Sequence, residues 1–268
     1  MKRREFLKAS VAATALTGIG GSTLTSHAAE PNPAGREFYE IRAYRFKAGA
    51  NHALLDGYLE KAFIPAMNRL KVQPIGVFTD LEPKDAEATS VYVLIPHATI
   101  EAFSLLTGRL NDDAEYLKAG VDYLTTPKAK PAFDRMDSWL LLAFSGLPKM
   151  DPPVWSREKK SRLFEMRTYQ SHSEVKAQNK VDMFNAGEVE IMREIGLGPI
   201  FFGQTLIGKD MPHLMYMTSG ENREVHKKHW DAFGNHPIWK KLIGDPKYAD
   251  NVIKNTQVFL APKPYSQI

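Results

Sequence analysis

Cysteine is absent from all 268 residues. That removes disulfides, thiolate metal sites and thiol nucleophiles. It also removes the lipidated cysteine that would tether an exported protein to a membrane. No segment approaches the roughly 20 consecutive apolar residues that a membrane-spanning helix needs, so no stable membrane anchor is expected. A dominant charge sign is lacking too: 35 Lys and Arg stand against 31 Asp and Glu. No long basic run is available to neutralise a nucleic-acid backbone, and no nucleic-acid partner is expected. The sequence has no Gly-rich phosphate loop, no G-x-S-x-G elbow and no H-E-x-x-H helix. Several common enzyme classes are thereby excluded. A small-molecule binder, an enzyme of another kind and an interaction scaffold remain.

What is present begins at the N-terminus. Arg3-Arg4-Glu5-Phe6-Leu7-Lys8 resembles the twin-arginine export signal, with Lys2 where Ser or Thr is usual. A short, diluted apolar run follows from Ala9 to Gly20, and Ser26-His27-Ala28 offers small residues for cleavage before Ala29. Residues 1–28 therefore read as a signal peptide. They hold four bases (Lys2, Arg3, Arg4, Lys8) and one acid (Glu5), which leaves 31 bases against 30 acids in the mature chain. The mature protein is expected to be soluble and periplasmic or secreted, with the twin-arginine translocase as its partner during export.

The rest of the chain repeats itself. Phe38-Tyr39-Glu40-Ile41-Arg42-Ala43-Tyr44 is answered by Leu163-Phe164-Glu165-Met166-Arg167-Thr168-Tyr169, a shift of 125 positions, and Pro74-Ile75 by Pro199-Ile200. Val91-Tyr92-Val93 is answered by Met215-Tyr216-Met217. Ser145 to Lys160, with Gly146, Pro148, Pro152 and Pro153, reads as a linker. Two domains are expected, 36–145 and 161–268, joined by 146–160. Each opens with a period-2 strand (Phe38–Phe46; Leu163–Gln170), followed by a segment with helical spacing. Leu55, Leu59, Phe63, Met67 and Leu70 mark it in the first half, where Pro65 should kink the helix. Val181, Phe184, Val189, Met192 and Ile195 mark it in the second. Two strands, another helical region and a last strand complete each half. The order βαββαβ is the ferredoxin-like unit, an α+β arrangement. Two such units can bury their open sheet faces against each other.

Several second-half motifs stand in one order: Phe184-Asn185-Ala186-Gly187-Glu188, Gly196 to Gly203, Pro212 to Met217, Trp230-Asp231-Ala232-Phe233, His236-Pro237-Ile238-Trp239 and Phe259-Leu260-Ala261-Pro262. In this order they resemble the NIPSNAP family, and the first half resembles it more loosely. The resemblance implies the dimeric α/β-barrel superfamily, here with both barrel halves in one polypeptide. It brings no settled biochemical activity. His213 stands where the family often has Asn, and the first half lacks the Trp-x-x-Phe element. The two half-sites are therefore expected to be inequivalent.

Strand alternation puts Glu165, Arg167 and Tyr169 on one face and Phe164, Met166 and Thr168 on the other; Glu40, Arg42 and Tyr44 repeat this. The apolar face is expected to pack on the helices, with the charged face turned into the space between the sheets. There Arg could grip a carboxylate or carbonyl of a ligand, or the residues could form a structural network. The candidate ligand-binding set is Glu40, Arg42, Tyr44, Glu165, Arg167, Tyr169 and Trp230. His226, His229 and His236 fall within eleven residues, a weak metal-ligand pattern with no telling acidic partner. No catalytic residue and no cofactor is identified.

The leading functional reading is small-molecule binding in the barrel cavity. The alternatives are a cofactor-free or haem-related monooxygenase-like enzyme, by analogy of fold alone, and a non-catalytic scaffold. Whether the chain is an enzyme stays open at this point, as does its oligomeric state, a homo-oligomer included.

Overall fold

The computed structural model describes residues 35–83 and 88–268. The export motif at Arg3 and Arg4 lies outside them. Eight strands form: β1 Phe38–Lys47, β2 Gly76–Asp80, β3 Ala88–His97, β4 Arg135–Ala143, β5 Leu163–Gln170, β6 Pro199–Ile207, β7 His213–Gly220 and β8 Lys254–Pro262. They close into one barrel in the order β1-β3-β2-β8-β5-β7-β6-β4, and every pairing is antiparallel. Two seams join the halves. Phe78 pairs with Pro262 between β2 and β8, and Leu142 pairs with Gln204 between β4 and β6. The described residues all belong to one compact unit.

Helices follow the first strand of each half where the apolar spacing puts them. In the first half Ala53–Tyr58 and Ile64–Arg69 flank a single π turn, Leu59–Phe63. Pro65 sits in the opening turn of the second piece, where its missing N–H is tolerated. The break expected at Pro65 thus appears as a widened turn just before it. In the second half Glu174–Met183 and Val189–Glu194 flank another π turn, Phe184–Glu188. The two π turns lie 125 positions apart, the same offset as the strands.

The barrel interior is apolar. Tyr39 and Ile41 of β1, Phe164 and Met166 of β5, and Phe201, Met215 and Leu260 from other strands pack there, all at most 5% exposed. Ile268 joins them, fully buried. Interior positions of an eight-stranded barrel have room for little beyond such side chains.

This reverses the expected orientation of β1 and β5. Their apolar faces, not their charged faces, look into the barrel. Glu40, Arg42, Tyr44, Glu165, Arg167 and Tyr169 lie outside, beneath the helices. An ionised group in the narrow interior would lose water and find no partner. On the outer face the other elements supply donors and aromatic rings. The expected ligand site inside the barrel is corrected by the same observation, because the interior is occupied by side chains.

Candidate functional site

Asn222 caps the helix Arg223–Asn235 by accepting a hydrogen bond from the Val225 amide at 3.0 Å. This start puts His226 and Trp230 one turn apart on the same helical face. Both reach Glu165 of β5, which is fully buried. The Trp230 indole N–H donates to Glu165 Oε2 at 2.6 Å, and His226 Nε2 lies 2.8 Å from the same oxygen. Trp230 Nε1 is also 3.2 Å from His226 Nε2. One nitrogen cannot donate to the carboxylate and accept from the indole together. The shorter contacts decide: both groups donate to Glu165.

Arg167 completes the set. Its Nε donates to Glu165 Oε1 at 2.8 Å and its Nη1 to the Tyr169 hydroxyl at 3.3 Å. The guanidinium carbon lies 3.8 Å from the centre of the Trp230 ring, a cation–π stack. Tyr169 in turn meets the Tyr216 hydroxyl at 2.8 Å. Burial alone would push the Glu165 carboxyl up, but the His226 hydrogen bond and the Arg167 charge hold it below its usual value. Glu165 is therefore an ionised acceptor saturated by three donors, and it is ill suited to take a further proton.

Beside this cluster runs an open groove of about 560 Å³, lined by Glu165, Arg167, Arg223, His226, Trp230, Gln257 and Phe259, with Glu224 and Lys227 at its edge. Register explains the β8 contribution. Gln257 pairs with Arg167 and Phe259 with Glu165, so all four project from the same outer sheet face. The Arg223 guanidinium lies 3.8 Å over the Phe259 ring.

The first half carries a sealed counterpart. Arg42 donates to Glu40 from Nε at 2.6 Å and from Nη2 at 3.1 Å, and His97 Nε2 lies 3.3 Å from the same carboxylate. Burial opposes ionisation, yet the His97 bond and the Arg42 charge bring Glu40 down to about 2. Arg42 faces Phe63 of the π turn, 5.3 Å from the ring centre. The position equivalent to Phe63 is Glu188, so Arg167 has no such neighbour and takes Trp230 from another helix instead. Tyr44 is buried in the first-half core.

The sequence-derived candidates thus divide. Glu165, Arg167 and Trp230 come together at the groove. Tyr169 stands behind them. Glu40, Arg42 and Tyr44 form a separate network under the first-half helices. The three histidines part company. His226 serves Glu165, His229 packs against Gly196, and His236 caps the next helix and pairs with Glu194 at 3.5 Å. Among the described residues no cluster of three or more His, Cys, Asp or Glu side chains has metal-holding geometry. Nor is any helix among them long and apolar enough to cross a membrane.

Sequence reasoning missed Gln257, Phe259, Arg223 and Lys227. The last strand reads from its apolar core as Val258–Ala261, which cuts off its polar start; it begins at Lys254. Alternation outward from Leu260 would have placed Phe259 and Gln257 on the outer face. A buried ion pair was missed as well. Lys180 donates to Glu188 at 2.6 Å, and its ammonium lies 4.7 Å from the Phe184 ring centre. Burial raises the Glu188 carboxyl against the pull of Lys180.

The NIPSNAP family model matches residues 164–267, the half that holds the groove. No curated protein matches the chain in sequence. Among solved structures, a candidate monooxygenase from Lactobacillus acidophilus NCFM is 9% identical with a TM-score of 0.56, over 85% of this chain and 94% of that one. A candidate monooxygenase from Fusobacterium nucleatum is 10% identical with a TM-score of 0.52, over 85% and 92%. A NIPSNAP-like domain protein from Burkholderia xenovorans is 17% identical over 40% of this chain and 89% of that one, with a TM-score of 0.35. At 9–10% identity the first two likenesses are of fold alone: a mixed α/β fold built on a closed antiparallel barrel.

Proposed function

We propose that this chain binds a small organic molecule in the groove between β5, β8 and the helix Arg223–Asn235, outside the barrel. One observation carries the reading: Arg167 is held flat against Trp230 at 3.8 Å in the wall of an open cavity of about 560 Å³. That volume lies within the usual range of small-molecule sites, which pair apolar walls with a few fixed polar groups. Binding fits the groove better than catalysis, because its buried carboxylate already accepts three hydrogen bonds. The monooxygenase alternative has fold likeness as its support and receives no residue roles here.

Two further readings belong to this proposal. Residues 36–145 and 161–268 are taken as two ferredoxin-like halves joined by 146–160, supported by the repeated element order and the common offset of 125 between the π turns. Residues 1–28 are taken as a twin-arginine signal that sends the chain to the periplasm or beyond. Changing Arg3 and Arg4 to Lys should retain the precursor in the cytoplasm. Undiminished export would remove that part of the proposal.

Native mass spectrometry of protein purified from its own host tests the groove. A co-purifying mass is expected on the parent chain and should be absent from Gln257→Trp, which fills the groove from an exposed position. Repeated emptiness of the parent under gentle conditions, or a mass retained by the filled variant, would overturn the assignment.

A further inference from the structure

We infer that the groove selects a planar carboxylate: a flat aromatic acid whose carboxyl group lies across Arg167 and Gln257, with its ring near Trp230 and Phe259. The inference rests on the groove being a ligand site and adds the chemical class of the occupant.

The donors come first. A guanidinium carries five N–H groups. Arg167 commits its Nε to Glu165 and one Nη1 hydrogen to Tyr169. Among the described residues its Nη2 has no hydrogen-bond partner, and neither has the Gln257 side-chain amide. The two residues are direct cross-strand partners on one face. Such pairs have Cβ atoms about 5 Å apart, close enough for both side chains to serve one carboxylate. Two N–H groups meeting two oxygens make the charge-assisted fork that arginine favours.

The charges exclude the opposite choice. A cationic ligand would need a free acceptor in the wall. Glu165 is spent on three donors, and Glu224 at the rim is paired with Lys228 at 2.8 Å. The rim cations are less firmly held. Lys227 pairs with Asp231 at 2.8 Å, and both side chains are more than half exposed. Arg223 pairs with the exposed Glu82. Exposed pairs of this kind are worth about 0–1 kcal/mol, so an incoming anion can draw on either cation.

The walls define the shape. Stacking fixes Trp230 as a flat surface, and Phe259, opposite Glu165 in register, supplies a second apolar ring. A cavity of about 560 Å³ has room for one or two fused rings and a carboxyl group.

Isothermal titration calorimetry with 2-naphthoate, its neutral isostere 2-naphthamide and the non-planar cyclohexanecarboxylate tests this. Naphthoate is expected to bind at least about tenfold more tightly than either control, the loss anticipated for one charge-assisted contact. Gln257→Leu, at an exposed strand position, should weaken naphthoate by a similar factor and leave naphthamide unchanged. Arg167→Lys should weaken naphthoate further, and its melting temperature is recorded alongside to separate binding from folding. Equal affinity for acid and amide, indifference to Gln257→Leu, or no binding by any probe would each overturn the carboxylate assignment. The groove is judged separately by mass spectrometry of host-purified protein. A neutral co-purifying ligand lost in Gln257→Trp would keep the groove and discard the acid.

Discussion

Glu165→Gln tests the reading of the Glu165 cluster most directly, because it changes charge and donor pattern with little change in shape. The carboxylate accepts from Arg167 on Oε1 and from His226 and Trp230 on Oε2. An amide keeps one acceptor oxygen. Placed on the Oε2 side, that oxygen retains His226 and Trp230, and the amide NH2 then faces the Arg167 Nε–H. Placed the other way, the NH2 faces two N–H groups, one of them an indole that cannot accept. Either way a donor meets a donor and Arg167 loses its counter-charge. Breaking a buried pair from one side costs about 3–5 kcal/mol. Arg167 keeps its stack on Trp230 and is 19% exposed, so the lower end applies, about 3 kcal/mol. For a chain of this size that is about 6–12 °C of melting temperature.

Arg167→Met should cost at least as much, since it strands a fully buried carboxylate. The double change Glu165→Gln with Arg167→Met should recover most of either loss, because the remaining amide oxygen still accepts from Trp230. Thermal unfolding followed by near-ultraviolet circular dichroism measures all three variants. A single Glu165→Gln variant melting within about 2 °C of the parent, or a double variant whose losses simply add, would refute the reasoning.

Acid should weaken the first half through Glu40. Its carboxyl titrates near 2 in the fold against an ordinary 4.5, so the unfolded chain binds more protons between those values, and about 3 kcal/mol of stability is lost as pH falls through that window. The gap in melting temperature between the parent and Glu40→Gln should therefore shrink from pH 5 to pH 2, and a constant gap would count against the assignment. For the buried Lys180–Glu188 pair, Lys180→Met alone should cost about 3–5 kcal/mol, whereas Lys180→Met with Glu188→Leu should be near neutral or stabilising. Urea midpoints would show this, and a double variant as weak as the single would contradict it. Gly198 has φ +53°, and a Cβ there would lie 2.9 Å from the Ser219 carbonyl oxygen and 2.6 Å from the Trp155 ring. Gly198→Ala should therefore lower the urea midpoint by the equivalent of about 2 kcal/mol, and an unchanged midpoint would mean the backbone there relaxes freely.

The sequence by itself determined the repeated order of elements, because period-2 and period-3.6 apolar spacing are local properties of the chain. Leu163–Gln170 reads off alternation with the same bounds the structure gives it, and the helical stripes of both halves fall where helices form. Alternation also grouped Glu165, Arg167 and Tyr169 on one face. It could not say which face looks inward, because a strand with one charged and one apolar side fits either surface of a sheet until the partner layers are known. The tertiary structure decided this by closing the sheet. The enclosed space suits Phe164 and Met166, whereas the charged side needs the donors that His226 and Trp230 bring from a helix some 60 residues along the chain. Gln257 and Phe259 were hidden for the same reason. Their place beside Arg167 and Glu165 is a matter of β5–β8 register, a long-range pairing that leaves no local mark on either strand.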